Sequence, residues 1–351
     1  MKTKPMTKFA ILALSLVLVA CAGGGSEEAG CPAIDGREIN VVATTPMIGE
    51  FVSQVGGEKI NLTVLMPPEA NPHTYEPAPQ DAGTIAEADL VFYTGLLYEP
   101  AALVKLLENS ACSTDILSEV GESVFPIEFK EGGHDDHDDH DDEEGHDDHD
   151  DEEGHDDEEG HDDEEGHDDH EGHNHGAYDP HFWFDPSRVA YAAEYIESRL
   201  IEFDPENESS YKSSADSFVS ELNDLTKQVS ELISTVPSQN RKLITTHESL
   251  GYLEAKFGLE VLSTIIPSLN SANEISPSDL AGVIDVIEDN NVKVIFIESE
   301  APSVYSETIV AETGIKSVTG LYVETLKPGQ SYSEFLISNV TLITENLQDT
   351  D

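Results

Sequence analysis

The sequence predicts an α/β protein built as two parallel-sheet domains joined by one long helix. Two observations lead there. Short apolar runs alternate with helical stretches across most of the 351 residues, a rhythm that argues for parallel sheets covered on both faces. Between the two alternating regions lies one extended helical stretch, about residues 204–236, which at about 1.5 Å per residue spans on the order of 45 Å.

In chain order, Lys2, Lys4 and Lys8 precede an apolar stretch from Phe9 to Ala20. Residues 1–20 therefore read as a signal peptide, too short to span a bilayer. Leu18-Val19-Ala20-Cys21 has the form of a lipoprotein processing site. Cys21 is the expected lipidated first residue, and residues 21–35 the tether behind it. Export places Cys31 and Cys112 where disulfides form. They either pair or leave Cys31 free on the tether.

Residues 36–130 read as the N-terminal α/β domain. Its expected strands are Ile39–Ala43, Lys59–Met66, Leu90–Tyr93 and Val124–Phe129, and its expected helices Pro46–Gly56, Gln80–Ala88 and Tyr98–Asn109. Residues 131–176 carry units such as His155-Asp-Asp-Glu-Glu-Gly160, with no apolar periodicity, and are expected to be disordered without metal. Residues 177–203 complete the N-terminal domain with a loop and a helix, Asp185 serving as N-cap and Pro186 as first helical residue. Residues 237–351 repeat the strand–helix rhythm as a C-terminal α/β domain.

Net charge is −55. Residues 134–175 hold 25 Asp plus Glu and no Lys or Arg, leaving −30 on the rest. Such a surface repels nucleic acid and anionic lipid. Gly-x-Ser-x-Gly, P-loop and dinucleotide fingerprints are lacking, and His247-Glu248 has Gly251, not histidine, at the position a zinc-protease helix needs. The sequence is expected not to be an enzyme.

Eleven of the 14 histidines lie in the acidic segment: His134, His137, His140, His146, His149, His155, His161, His167, His170, His173 and His175. Acid-rich runs are commonly solvated spacers. Imidazoles interleaved with carboxylates instead predict several weak, exchangeable metal sites. The other three, His73, His181 and His247, each sit at the carboxyl end of an expected strand or in a loop beside it, the edge where open α/β sheets bind ligands. A single such histidine is more commonly a satisfied core or surface residue. Three together predict a three-imidazole site suited to Zn²⁺.

Asn71-Pro-His-Thr-Tyr-Glu-Pro77, Asp179-Pro-His-Phe-Trp183 and Thr246-His-Glu-Ser-Leu-Gly-Tyr-Leu253 resemble the three ligand motifs of the zinc- and manganese-binding proteins of ABC importers, the ZnuA/TroA-like group. The resemblance covers essentially residues 36–349. It implies a metal cleft between the two domains and a monomeric, extracytoplasmic zinc-binding protein. Such a protein is anchored by lipid to the outer face of the cytoplasmic membrane and serves a permease with a cytoplasmic ATPase. A histidine at the third motif, His247, implies zinc over manganese. The family's fourth ligand, commonly Asp, falls on Glu324 here, with Glu298 at the end of an expected strand as its rival. Glu76, Asp179 and Glu248 are the expected partners of the ligand imidazoles. The competing readings are a surface metal buffer or adhesin, a manganese importer component and a zinc hydrolase.

Overall fold

The computed structural model describes Cys31, Ile34 and residues 36–129, 178–300 and 304–348. The expected signal peptide, Cys21 and the histidine–acid segment lie outside these residues.

The first sheet is parallel throughout, in the order β2-β1-β3-β4. Its strands are β1 (Ile39–Ala43), β2 (Ile60–Val64), β3 (Leu90–Tyr93) and β4 (Leu117–Glu119). Between them run α1 (Pro46–Gly56), α2 (Pro79–Ala86) and α3 (Ala101–Ser110). The near-continuous burial of Ile39–Ala43 and Leu90–Phe92 fits central strands covered on both faces. Thr45 caps α1 by accepting from Ile48 N, with Pro46 in the first turn. Asp185 caps α4 (Pro186–Phe203) in the same way, accepting from Ser187 N.

The second half contributes two parallel pairs. One is β5 (Lys242–His247) with β6 (Glu260–Ile266). The other is β7 (Val294–Glu298) with β8 (Lys316–Leu321). The pairs meet where Glu298 N donates to Thr246 Oγ1 (3.0 Å) and His247 N to Glu298 Oε1 (3.1 Å). Around them lie α6 (Gly251–Phe257), α7 (Pro277–Asp289), α8 (Val304–Thr313) and α9 (Tyr332–Gln348).

The long helix, α5 (Glu208–Ser234), begins later than expected because Pro205–Asn207 forms a 3-10 turn. Tyr211, Ala215, Phe218, Leu222, Leu225, Val229 and Ile233 bury one face at helical spacing. That stripe packs against α1 and α4 on one side and α9 on the other. One continuous cluster of buried residues consequently runs from Ile39 to Leu347.

The expected strand at Val124–Phe129 does not form. Pro126 cannot donate to a ladder, Phe125 takes a left-handed φ of 53°, and only Glu128 makes an isolated antiparallel bridge, to Tyr178. The strand that ends the sheet is the three-residue β4, whose Leu-Ser-Glu pattern is too short to show a period.

Cys31 and Cys112 form a disulfide across 81 residues of sequence. It fastens the segment preceding β1 to the chain just after α3. Replacing both cysteines by serine is expected to lower the unfolding free energy by about 2–4 kcal/mol. A urea titration under non-reducing conditions reads this as a lower midpoint, and equal midpoints would contradict it.

Candidate metal centre

Three imidazoles and one carboxylate converge where the two halves meet. His73 lies in a 3-10 turn between β2 and α2, where Asn71 Oδ1 accepts from His73 N (2.9 Å). The same Asn71 side chain donates to Ser271 Oγ beyond β6 (3.0 Å). His181 opens the turn leading into α4. His247 is the last residue of β5. Glu324 follows β8 in the loop before α9. Ligand atoms of the four residues all lie within 4.8 Å of one another. His181, His247 and Glu324 are buried, and the His73 side chain is only 3% exposed.

Glu324 Oε1 lies 3.0 Å from both His73 Nε2 and His247 Nε2, and Oε2 lies 3.4 Å from His181 Nε2. Despite these short distances, the Nε2 atoms of His181 and His247 lack a well-aligned hydrogen-bond partner. Distance is met and direction is not, so these two nitrogens aim at the space among the groups. Donors aimed at a shared point suit a cation there.

Two imidazoles are fixed from behind. Asp179 Oδ1 lies 2.8 Å from His181 Nδ1 and also accepts from His181 N. Glu298 Oε2 lies 2.5 Å from His247 Nδ1. A carboxylate only accepts, so each Nδ1 carries the proton and each Nε2 faces the centre with its lone pair when the ring is neutral. Asp179 thus lies against the His181 imidazole. Glu298 stands behind His247 instead of joining the cluster. Glu248 turns to Thr264 Oγ1 (3.0 Å), and Glu76 is exposed. Neither bonds an imidazole among the described residues.

Several contacts were not visible in the sequence. The Tyr98 hydroxyl lies 3.0 Å from both Oε2 and the backbone oxygen of Glu324. Trp183 is fully buried and donates from Nε1 to Val323 O (2.8 Å). Glu300 Oε1 accepts from Val323 N and Glu324 N. Tyr252 donates to Asp179 O (2.9 Å). Gly251 lets Asp179 approach, since a Cβ there would stand 2.8 Å from Asp179 Oδ2. These pairs are far apart in sequence, so no local pattern announces them.

The electrostatics follow from that packing. Burial opposes the charged form of His181, but the hydrogen bond to Asp179 and the nearby Glu324 carboxylate outweigh it and raise the imidazole to about 9. Burial likewise opposes charge on His247, and the charges of Glu298 and Glu324 carry it well above the usual histidine range. Burial would raise Glu324, yet the facing His73 and His247 hold it well below the usual carboxylate range. Burial and then the charge of Glu324 push Glu300 up to about 8.

A metal ion takes the neutral imidazole, so its binding must expel these protons. Apparent affinity should therefore rise with pH from 7 towards about 9 and fall on acidification. Calorimetry in buffers of different ionisation enthalpy should show proton release at pH 7; a release of zero would contradict the pairing described. Gly251→Ala should push the Asp179 carboxylate off His181 and weaken cation binding by about 10–100-fold, the usual cost of losing such a partner. Unchanged affinity would show that Asp179 tolerates the added methyl.

Comparison with known proteins shows the family. A family model described as zinc-uptake complex component A, periplasmic, matches residues 41–346. The manganese ABC transporter substrate-binding lipoprotein PsaA of Streptococcus anginosus is 25% identical over 98% of this chain and 99% of its own. The high-affinity zinc uptake system protein ZnuA of Bacillus subtilis strain 168 is 27% identical over 97% and 96%. Among solved structures, the periplasmic zinc-binding protein TroA from Treponema pallidum superposes with a TM-score of 0.70 at 20% identity, covering 88% of this chain and 99% of that one. The chain belongs to the zinc-uptake complex component A family, the metal-binding substrate-binding proteins of ABC importers, which are not enzymes.

Proposed function

We propose that this protein captures one Zn²⁺ through His73, His181, His247 and Glu324 and passes it to a membrane permease driven by a cytoplasmic ATPase. The observation that carries the reading is the convergence of three imidazole nitrogens and one carboxylate within 4.8 Å. Four donors, three of them nitrogen, suit tetrahedral Zn²⁺. Mn²⁺ favours an octahedral shell rich in oxygen. The PsaA relatives named for manganese make Mn²⁺ the competing cargo, and it would need oxygen donors beyond Glu324.

The remaining assignments belong to the same proposal. Cys21 carries the lipid that holds the protein at the outer face of the cytoplasmic membrane. No helix among the described residues is long and apolar enough to cross a membrane. Residues 36–130 with 177–203 form one domain, residues 237–351 the other, and residues 204–236 link them in a monomer. The eleven histidines of the acidic segment add weak auxiliary sites.

Calorimetry on protein lacking residues 134–175 tests the cleft. One tight Zn²⁺ site should remain. Each of His73→Ala, His181→Ala and His247→Ala should cost more than the roughly 10–100-fold expected for an outer contact, and the triple variant should abolish tight binding. Loss of tight binding on deleting residues 134–175 would move the function to the acidic segment, as a surface metal buffer requires, and tight binding that survives the triple substitution would overturn this ligand set. Rescue of a deletion strain by manganese and not zinc would overturn the cargo.

A further inference from the structure

The acidic segment leaves and re-enters the described fold at a single place. Glu128 bridges to Tyr178, Asp179 N donates to Ile127 O (3.0 Å), and Ile127 N donates to Tyr252 OH (3.2 Å). Beside these two stems is a cavity of about 470 Å³ whose lining includes Phe125, Asp185, Arg188, Tyr191, Tyr252 and Lys256.

Its charge runs against the chain. The sequence has 17 Lys plus Arg against 72 Asp plus Glu, yet here two cations share one carboxylate. Arg188 Nε lies 3.7 Å from Asp185 Oδ2, and Lys256 Nζ lies 3.7 Å from Asp185 Oδ1. Neither distance is a hydrogen bond. Asp185 Oδ1 is already committed to Ser187 N and Ser187 Oγ. Arg188 Nη1 holds the carbonyls of Val124 and Phe125 at the stem, and Lys256 donates to Ser187 Oγ. Protons remain on both groups, and their side chains stay 26% and 36% exposed. Phe125 and Tyr191 pack edge to face at 5.0 Å beside them, both exposed.

We propose that this cavity is an intramolecular dock for the carboxylates of residues 134–175. Charge names the occupant, since that segment carries 25 Asp plus Glu and no cation. Connectivity does too, since the segment is joined to the fold at both ends beside the cavity. Tethering holds its carboxylates at an effective concentration of about millimolar or more. Guanidinium and ammonium groups both donate to carboxylates. Each exposed pair contributes about 0–1 kcal/mol, so the hold is multiple, exchangeable and sensitive to salt. Tyr252 lines the cavity and also bonds Asp179 O, the residue behind His181. A docked segment therefore stands next to the support of one imidazole of the metal centre. The inference depends on neither the identity of the cargo nor the ligand set.

Zero-length carbodiimide coupling of the full chain tests it, with linked peptides mapped by mass spectrometry in a mixture of unlabelled and ¹⁵N-labelled protein. Lys256 should couple to Asp or Glu of residues 134–175 within the same chain, with about tenfold higher yield than the exposed Lys227 and Lys316. That excess should vanish in 1 M NaCl, where the Debye length is about 3 Å. Coupling of Lys256 only to Asp185, coupling only between chains, or a yield no higher than at the two control lysines would overturn the dock.

Discussion

The Glu324 carboxylate, faced by three imidazoles, is the interaction on which the arrangement of the centre depends. A fully buried charge survives only if its partners are in place. Here they come from separate parts of the chain: a turn after β2, a turn before α4 and the end of β5. Each imidazole left with a free second nitrogen would turn, so Asp179 and Glu298 fix two rings from behind. The loop bearing Glu324 would likewise drift, and Tyr98, Trp183 and Glu300 fasten it at its side chain, its preceding carbonyl and its amides. The supports are thus consequences of one buried carboxylate.

The frame limits how that centre can open. A buried cluster continuous from Ile39 to Leu347, with α5 packed against both α1 and α9, leaves no thin linker about which the halves could swing. Separating them widely would expose apolar surface at roughly 25 cal/mol per Å². The contacts that cross near the metal centre are instead polar, the His73–Glu324 pair and a few hydrogen bonds among them. Asn71 to Ser271, Tyr98 to Glu324 and Trp183 to Val323 are examples. Each such bond is worth about 0.5–1.5 kcal/mol net. Access to the centre is therefore cheapest through the loops that carry His73 and Glu324, with the helical frame held fixed.

What the sequence disclosed follows the range of the forces involved. The strand–helix rhythm and the long helical stretch that became α5 are local patterns, and they were legible. His73, His181 and His247 stood out because histidine is otherwise confined to the acidic segment and these three fall in loops or at a strand end. Glu324 rested on resemblance alone, because one carboxylate among 72 acidic residues carries no local mark. Glu298 looked like a ligand because it ends a strand beside the others. Its true partner, His247 Nδ1, is set by how β5 meets β7, which no single segment encodes. Tyr98 and Glu324 are 226 positions apart, and the need for glycine at 251 is visible only once Asp179 stands beside it. The missed end of the first sheet has a local cause, since Pro126 broke an apolar run that otherwise looked like a strand.

Capture and discrimination fall to different parts of the molecule. The chain outside the acidic run still carries −30, and such a surface draws any cation from solution. That attraction fades within about 8 Å at physiological ionic strength and is blind to chemical identity. Choice must then rest with donors that exclude water and present nitrogen. The centre offers three imidazoles of which two are buried outright, and one carboxylate already engaged by a tyrosine hydroxyl. A hard cation gains little from nitrogen donors and loses its hydration on entering, which is the ground on which Zn²⁺ is proposed as cargo. An acidic exterior can therefore be rebuilt freely without altering preference, while a change to one buried nitrogen donor alters it at once.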